Sequence, residues 1–167
     1  MGPVRVVLLL ALISAMPAPG AATELPLRKP GLWQIKMSIS GRTVSPQVIL
    51  QCVDPTTDQM LQSSAGPYSA AVCPKREVHQ SADSITIDSS CTIGGKPATA
   101  HATITGSVES AYTMTVTSQS EALPASNMTM TIGGKWLGPC AADQKPGDII
   151  FSNGRKANIL ELQKSTP

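Results

Sequence analysis

From residue 33 the chain alternates. Trp33, Ile35, Met37 and Ile39 fall on one side of an extended backbone, and Gln34, Lys36, Ser38 and Ser40 on the other. A period of two marks a half-buried strand. Pro30-Gly31 opens it and Gly41 closes it. Val48, Leu50 and Cys52 point to a second strand. Pro55 to Gln62, PTTDQMLQ, reads as one short helix with proline at its start, and the residues from Ser63 to Ala71 read as loop.

Four later segments repeat the alternation. Their apolar positions are Ile85 and Ile87; Ala100, Ala102 and Ile104; Tyr112, Met114 and Val116; and Met128, Met130 and Ile132. Threonine fills most positions between them, and a β-branched polar residue suits a pleated, solvated face. The pattern predicts a sheet that is apolar on one side and wet on the other, the habit of antiparallel sheets. No long helical period appears. The predicted fold class is therefore all-β: an antiparallel meander, either a strongly curved sheet or a small barrel, with one short helix. Strands read this way run about seven residues, short of what a membrane barrel needs. Ile149–Phe151 and Ala157–Leu160 flank Ser152-Asn153-Gly154-Arg155, a hairpin signature in the tail.

The pentapeptide TIGGK occurs twice, at Thr92–Lys96 and Thr131–Lys135. A phosphate loop needs a glycine five residues before Gly-Lys, and Ser or Thr after it. The first copy has Ser90 and Pro97 at those places, and the second has Thr129 and Trp136. The flanks do not match, so an internal repeat fails as well. Both copies end an alternating run, where a glycine pair permits a bulge or bend. Gly134 leaves room on the apolar face beside a large ring.

The N-terminus changes the compartment. Arg5 precedes an unbroken apolar run from Val6 to Ile13, small residues follow, and Gly20 and Ala22 suit a cleavage site. Residues 1–22 read as a signal peptide, residues 23–140 as the β domain and residues 141–167 as a C-terminal extension. The run is too short to span a bilayer, so the mature chain is expected to hold no transmembrane segment. Without Arg5 the chain keeps 12 Lys+Arg against 11 Asp+Glu. That balance lacks the basic stripe of a nucleic-acid binder. Only five aromatics occur: Trp33, Tyr68, Tyr112, Trp136 and Phe151. A core so poor in aromatics gains from covalent staples.

Four cysteines, Cys52, Cys73, Cys91 and Cys140, follow the signal. An even count in an exported chain predicts two disulfides, and no Cys or His spacing fits zinc. A hairpin turning about Ala82 places residues whose numbers total 164 opposite one another. Cys73 then faces Cys91, and Val78 faces Thr86. Opposed Cβ atoms lie close enough for a disulfide after small adjustment. Cys52 is left for Cys140, a bond that ties the second strand to the end of the last and brings chain ends together as a curled sheet requires.

Several of these stretches occur together in a known family. PGLW at 30–33, QC at 51–52 before a short helix, methionine-threonine strands, and GKWLGPC at 134–140 resemble, in that order, the bacterial family catalogued as domain of unknown function 3617. The resemblance implies an exported protein with cysteines near these places. It brings no activity with it.

Chemistry is sparse. No G-x-S-x-G, H-E-x-x-H or C-x-x-C occurs. His101 falls on the threonine face, and His79 lies just before a turn, with Asp83 and Asp88 as possible partners. No enzyme activity and no cofactor are expected. The apolar face gathers Trp33, Met37, Met114, Met128, Met130 and Trp136. A filled core and a ligand pocket give this same pattern, and no buried polar anchor stands out. The expected role is non-catalytic binding of an apolar ligand or a protein partner in the cell envelope, periplasmic or secreted. The alternatives are a structural envelope protein and a Cu(I) binder using thioethers of Met37, Met114, Met128 and Met130.

Overall fold

Alternation along the chain becomes nine antiparallel strands. The computed structural model describes residues 24–40, 45–64, 72–120 and 128–164. The signal peptide at 1–22, Gly41 and Tyr68 lie outside the described residues. The strands are β1 (Gly31–Ile39), β2 (Gln47–Val53), β3 (Lys75–Gln80), β4 (Ser84–Ile93), β5 (Lys96–Ser107), β6 (Ala111–Ser120), β7 (Met128–Gly138), β8 (Asp148–Phe151) and β9 (Lys156–Asn158). They form one open sheet in the order β3-β4-β5-β6-β7-β1-β2-β8-β9. The meander β3 to β7 is unbroken. β1 then inserts between β7 and β2, which are far apart in sequence.

Five strands exceed the length read from the sequence. β1 has 9 residues, β4 and β6 have 10, β7 has 11 and β5 has 12. Threonine and serine positions at strand ends carry no apolar signal, so the alternation understates them. Strand length therefore does not argue against a membrane barrel. The polarity does. The outward positions Thr105, Thr113, Thr115 and Thr117 are exposed threonines, where a barrel in lipid presents an apolar band.

One helix follows β2. α1 (Pro55–Ser64) starts with Pro55 in its first turn, where a missing N–H costs nothing. Asp54 caps it. Its Oδ1 accepts from the Thr57 N–H at 2.8 Å, and the Thr57 hydroxyl accepts from the Asp54 N–H at 3.0 Å. A second helix, α2 (Ile159–Lys164), follows β9 directly. The second arm of the tail hairpin thus ends at Asn158, and residues 159–160 turn into helix. Asn158 Oδ1 accepts from the Leu160 N–H at 3.0 Å, and Ile159 is buried, so a cap and a core contact override the extended pattern.

Two disulfides are present, Cys73–Cys91 and Cys52–Cys140. The register beside the first differs from the expected one. Val78 faces Ile87, not Thr86, and each pair from Lys75↔Ser90 to Gln80↔Ile85 is offset by one. The reason is a four-residue turn. Ser81 N–H donates to Ser84 O at 2.9 Å, which centres the hairpin between Ala82 and Asp83. Cys73 still meets Cys91 because Pro74 breaks the ladder ahead of β3. On its far side the Thr92 N–H donates to Val72 O at 2.9 Å, in the other register.

The second disulfide ties β2 to the end of β7, the last strand of the meander, and these two are not the edges of the nine-stranded sheet. Cys52 lies in β2 and Cys140 just beyond β7, and these strands flank β1. The bond straps across the end of β1. It sits on the back of β2, where the Gly147 N–H donates to Cys52 O at 2.8 Å. The side of β2 facing the core is Ile49, Gln51 and Val53, since Ile49 pairs with Ile35 and Gln51 with Trp33. Both sides of β2 read as apolar because one packs on the core and the other carries the strap.

The cap of α1 yields a stability prediction. Hydrogen bonds from Thr57 hold the Asp54 carboxyl below the usual carboxylate range, outweighing burial. A lowered folded-state value stabilises fully above the unfolded-state value and is lost as pH falls through the folded one. Asp54→Ala should cost about 1 kcal/mol near neutral pH. The difference from the parent should shrink below a pH of about 4. Urea unfolding at the two pH values measures both.

Candidate functional site

Strands from opposite halves of the sheet share one hollow. Ile87 of β4, Ala102 of β5, Met114 of β6, Met130 of β7, Met37 of β1 and Ile49 of β2 all line a concave cavity of about 460 Å³. A flat sheet could not place β4 and β2 around one space, so the sheet curls about its apolar face. Two packed groups flank the hollow. One centres on Val78, Ile87 and Val116, the other on Trp33, Ile35 and Val53, and Tyr112 touches both.

The sequence-predicted residues divide. Met37, Met114 and Met130 are cavity walls. Trp33 is fully buried beside the cavity and is core, its Nε1–H donating to Lys29 O at 2.8 Å. Trp136 packs against the Trp33 group, donates its Nε1–H to Pro30 O at 3.1 Å, and carries the Lys29 ammonium 3.8 Å from its ring centroid. Met128 is half-buried at the start of β7 and is not part of the cavity wall. Three of the four thioethers therefore share the hollow.

Two local geometries hold these walls. Gly31 adopts φ +133°, and a Cβ there would strike Gly138 O and Trp136 Nε1, so only glycine lets β1 and β7 close at this end. Gly134 lies opposite Tyr112, and a Cβ on it would run into the Tyr112 ring. The ring that fills the space over Gly134 is thus Tyr112 from the neighbouring strand, not Trp136. Tyr112 in turn stands 5.7 Å from Trp33, centroid to centroid, tilted by 45°.

One end of the cavity contains a polar cluster that the alternation did not show. Arg28 is buried, and Asp58 of α1 is fully buried. Arg28 Nε–H donates to Asp58 Oδ1 at 2.7 Å, its Nη2 lies 2.7 Å from the same oxygen, and its backbone N–H donates to Oδ2 at 2.7 Å. Gln62 Nε2 donates to Oδ2 at 3.0 Å. The guanidinium also lies 5.6 Å from the Trp33 ring centroid. Its Nη1 donates to Gln51 Oε1 at 2.9 Å. Gln51 is a buried polar anchor on the cavity wall, contrary to the expectation of none. Its single signal in the sequence is a glutamine at an inward position between Ile49 and Val53. Arg28 precedes the first strand and Asp58 sits in a helix, so no periodicity could pair them.

Tyr112 completes the cluster. Burial pushes its hydroxyl above the ordinary tyrosine value, and the positive charge of the nearby Arg28 pulls the other way. The phenol stays protonated at neutral pH and keeps its own O–H to donate.

The histidines lie elsewhere. His101 Nδ1 is 2.8 Å from Asp88 Oδ1 across β4 and β5, on the outer face, and both are about half exposed. Asp88 thus partners His101, not His79. His79 lies 4.0 Å from Glu77 instead. No group of three His, Cys, Asp or Glu among the described residues is arranged to hold a metal.

A family profile described as "Protein of unknown function (DUF3617)" matches residues 28–140. The chain belongs to this family. No curated protein and no solved structure matches it. The matched span opens at Arg28 and closes at Cys140. PGLW, QC and GKWLGPC lie on β1, β2 and β7, three adjacent strands. The landmarks of the chain therefore converge on one corner of the sheet, where Trp33, Gln51, Trp136 and the Cys52–Cys140 bond meet Arg28 and Asp58.

Removing the carboxylate tests this corner. Asp58→Ala leaves the buried guanidinium without its counter-charge and should destabilise by about 3–5 kcal/mol. The shift in the urea midpoint reads the effect, and a change under about 1 kcal/mol would show the corner is not held by charge.

Proposed function

We propose that this chain is an exported, disulfide-stabilised binding protein that takes a small apolar ligand into the hollow of its curled sheet, without catalysis. The observation that carries the reading is the cavity of about 460 Å³ with walls of aliphatic and methionine side chains and one buried polar corner. That size and that mixture match small-molecule sites, which run from about 300 to 1,000 Å³ with a few polar groups on an apolar wall. Methionines on three strands suit a ligand of variable shape, because thioether chains repack readily.

Export rests on residues 1–22 and is consistent with two disulfides, which persist in oxidising compartments. Among the described residues no helix is long and apolar enough to cross a membrane. The reading places the protein in the periplasm or outside the cell, beginning at Thr23 after cleavage. The Cu(I) alternative needs thioethers in one coordination sphere, and Met128 standing apart from Met37, Met114 and Met130 weakens it.

Native mass spectrometry after mild purification from the exported fraction should show an intact mass starting at Thr23 with an apolar adduct. In solution the hydrocarbon dye diphenylhexatriene should fluoresce on binding the stripped protein. Met114→Trp puts an indole into the hollow and should weaken dye binding at least about tenfold, the loss of one good apolar contact set. A clean apo mass together with no dye signal would sink the pocket reading.

A further inference from the structure

The polar groups on the cavity wall are mixed: Gln62 spends its amide NH2 on Asp58 and Pro26 O and Ser89 carries a hydroxyl, whereas Gln51 presents a donor. Gln51 is 9% exposed, so it is nine-tenths buried, and it lines the hollow. Its Oε1 accepts from Arg28, which fixes the amide's orientation: the oxygen must face the guanidinium, and the NH2 must face away from it. That NH2 has no partner among the described residues, yet no enclosed side-chain atom there lacks one. The two statements agree only if the NH2 opens onto the hollow. Arg76 lines the same cavity from β3, across from Ser89, with no ion-pair or hydrogen-bond partner among the described residues. No acidic side chain is a wall. Asp58 is fully buried behind Arg28 and already takes hydrogen bonds on both oxygens.

An unpaired amide donor on the wall of an apolar hollow selects for an acceptor. A hydrocarbon pressed against the Gln51 amide would strand two N–H groups out of water, an unfavourable outcome. A head that brings its own N–H groups would face donors with donors, and a cationic one would also meet Arg76. From this arrangement we infer that the ligand is a chain-like amphiphile whose head is a hydrogen-bond acceptor, a carboxylate or carboxylic ester, received by the Gln51 amide while its chain lies along the methionine wall. Phe151 of β8, 40% exposed, also lines the hollow. This inference rests on the pocket reading above.

Competition against diphenylhexatriene tests it. The competitors share one dodecyl-length chain: dodecane, methyl dodecanoate, dodecanoate and dodecylammonium. In the parent protein the ester and the carboxylate should displace the dye about tenfold more strongly than dodecane or dodecylammonium, the worth of one or two buried hydrogen bonds. Gln51→Glu is nearly isosteric and still accepts from Arg28, but it replaces the donor with an acceptor. In that variant the advantage of the ester over dodecane should vanish. The comparison is a ratio within each protein, so a general change in affinity cancels, and a thermal melt of the variant confirms folding. Dodecane or dodecylammonium competing as well as the ester in the parent would overturn the inference, and so would an ester advantage that survives Gln51→Glu. Both results leave the pocket reading standing, because each needs a working dye signal. Absence of any dye signal in the parent removes the pocket and the inference together.

Discussion

The ion pair between Arg28 and Asp58 is the constraint on which this corner of the structure depends. Asp58 is fully buried and Arg28 nearly so, which means neither can fall back on water. Desolvation of such a pair is large, and attraction alone seldom gives net stability over apolar packing. What the pair supplies is geometry. Three contacts of 2.7 Å lock the segment before β1 onto α1, and a fourth bond from the same guanidinium sets the Gln51 amide. Remove the pair and the helix, the entry to β1 and the polar end of the hollow lose their common reference.

The disulfides act on different parts of this frame. Cys52–Cys140 closes a separation of 88 residues, for which the chain-entropy picture gives roughly 4–5 kcal/mol. It holds β7 and β2 at the end of β1, where a glycine-only approach at Gly31 already brings the backbones together. Cys73–Cys91 staples the other limb, where β3 is an edge strand of six residues and Pro74 ends its ladder. One bond secures the polar corner, and the other secures the open edge that carries Arg76.

Sequence patterning read the strands well because alternation reports burial directly. Trp33, Ile35, Ile87, Ala102, Ile104 and Val116 are all buried where the pattern put them. The register of β3 on β4 was off by one residue, because turn length is set by the Ser81–Ser84 hydrogen bonds and not by the apolar pattern. The site was read only in part. The methionine wall follows from alternation. Arg28, Gln51 and Asp58 come from a loop, a strand and a helix, and only tertiary packing puts them together. Trp33 and Trp136 were expected at a ligand, yet a large ring at a strand junction is as useful for packing as for binding. Here the packing role took Trp33 whole.

Whether an inward apolar face makes a filled core or a hollow depends on side-chain volume, and the sequence does contain that information. The inward row of β5 is Ala98, Ala100, Ala102 and Ile104. Interiors pack to near-crystalline density, so three alanines on the longest strand must be answered by large side chains opposite them if no space is to remain. The chain has five aromatics in all, and three of the described ones, Trp33, Tyr112 and Trp136, stand at the β1–β6–β7 junction, on Gly134 and beside the ion pair. No aromatic faces the alanines of β5 from β4, whose inward residues there are Ile87 and Ser89. Curling the sheet brings β2 and β8 around, yet their inward residues are the branched aliphatics Ile49 and Ile149 and a Phe151 that stays 40% exposed and does not fill the space. Small residues in the middle of a concave face, with medium ones around it and the rings committed elsewhere, leave volume over. The hollow is a consequence of composition, and the orientation of the Gln51 amide at its polar end is a consequence of the one ion pair that composition could not foretell.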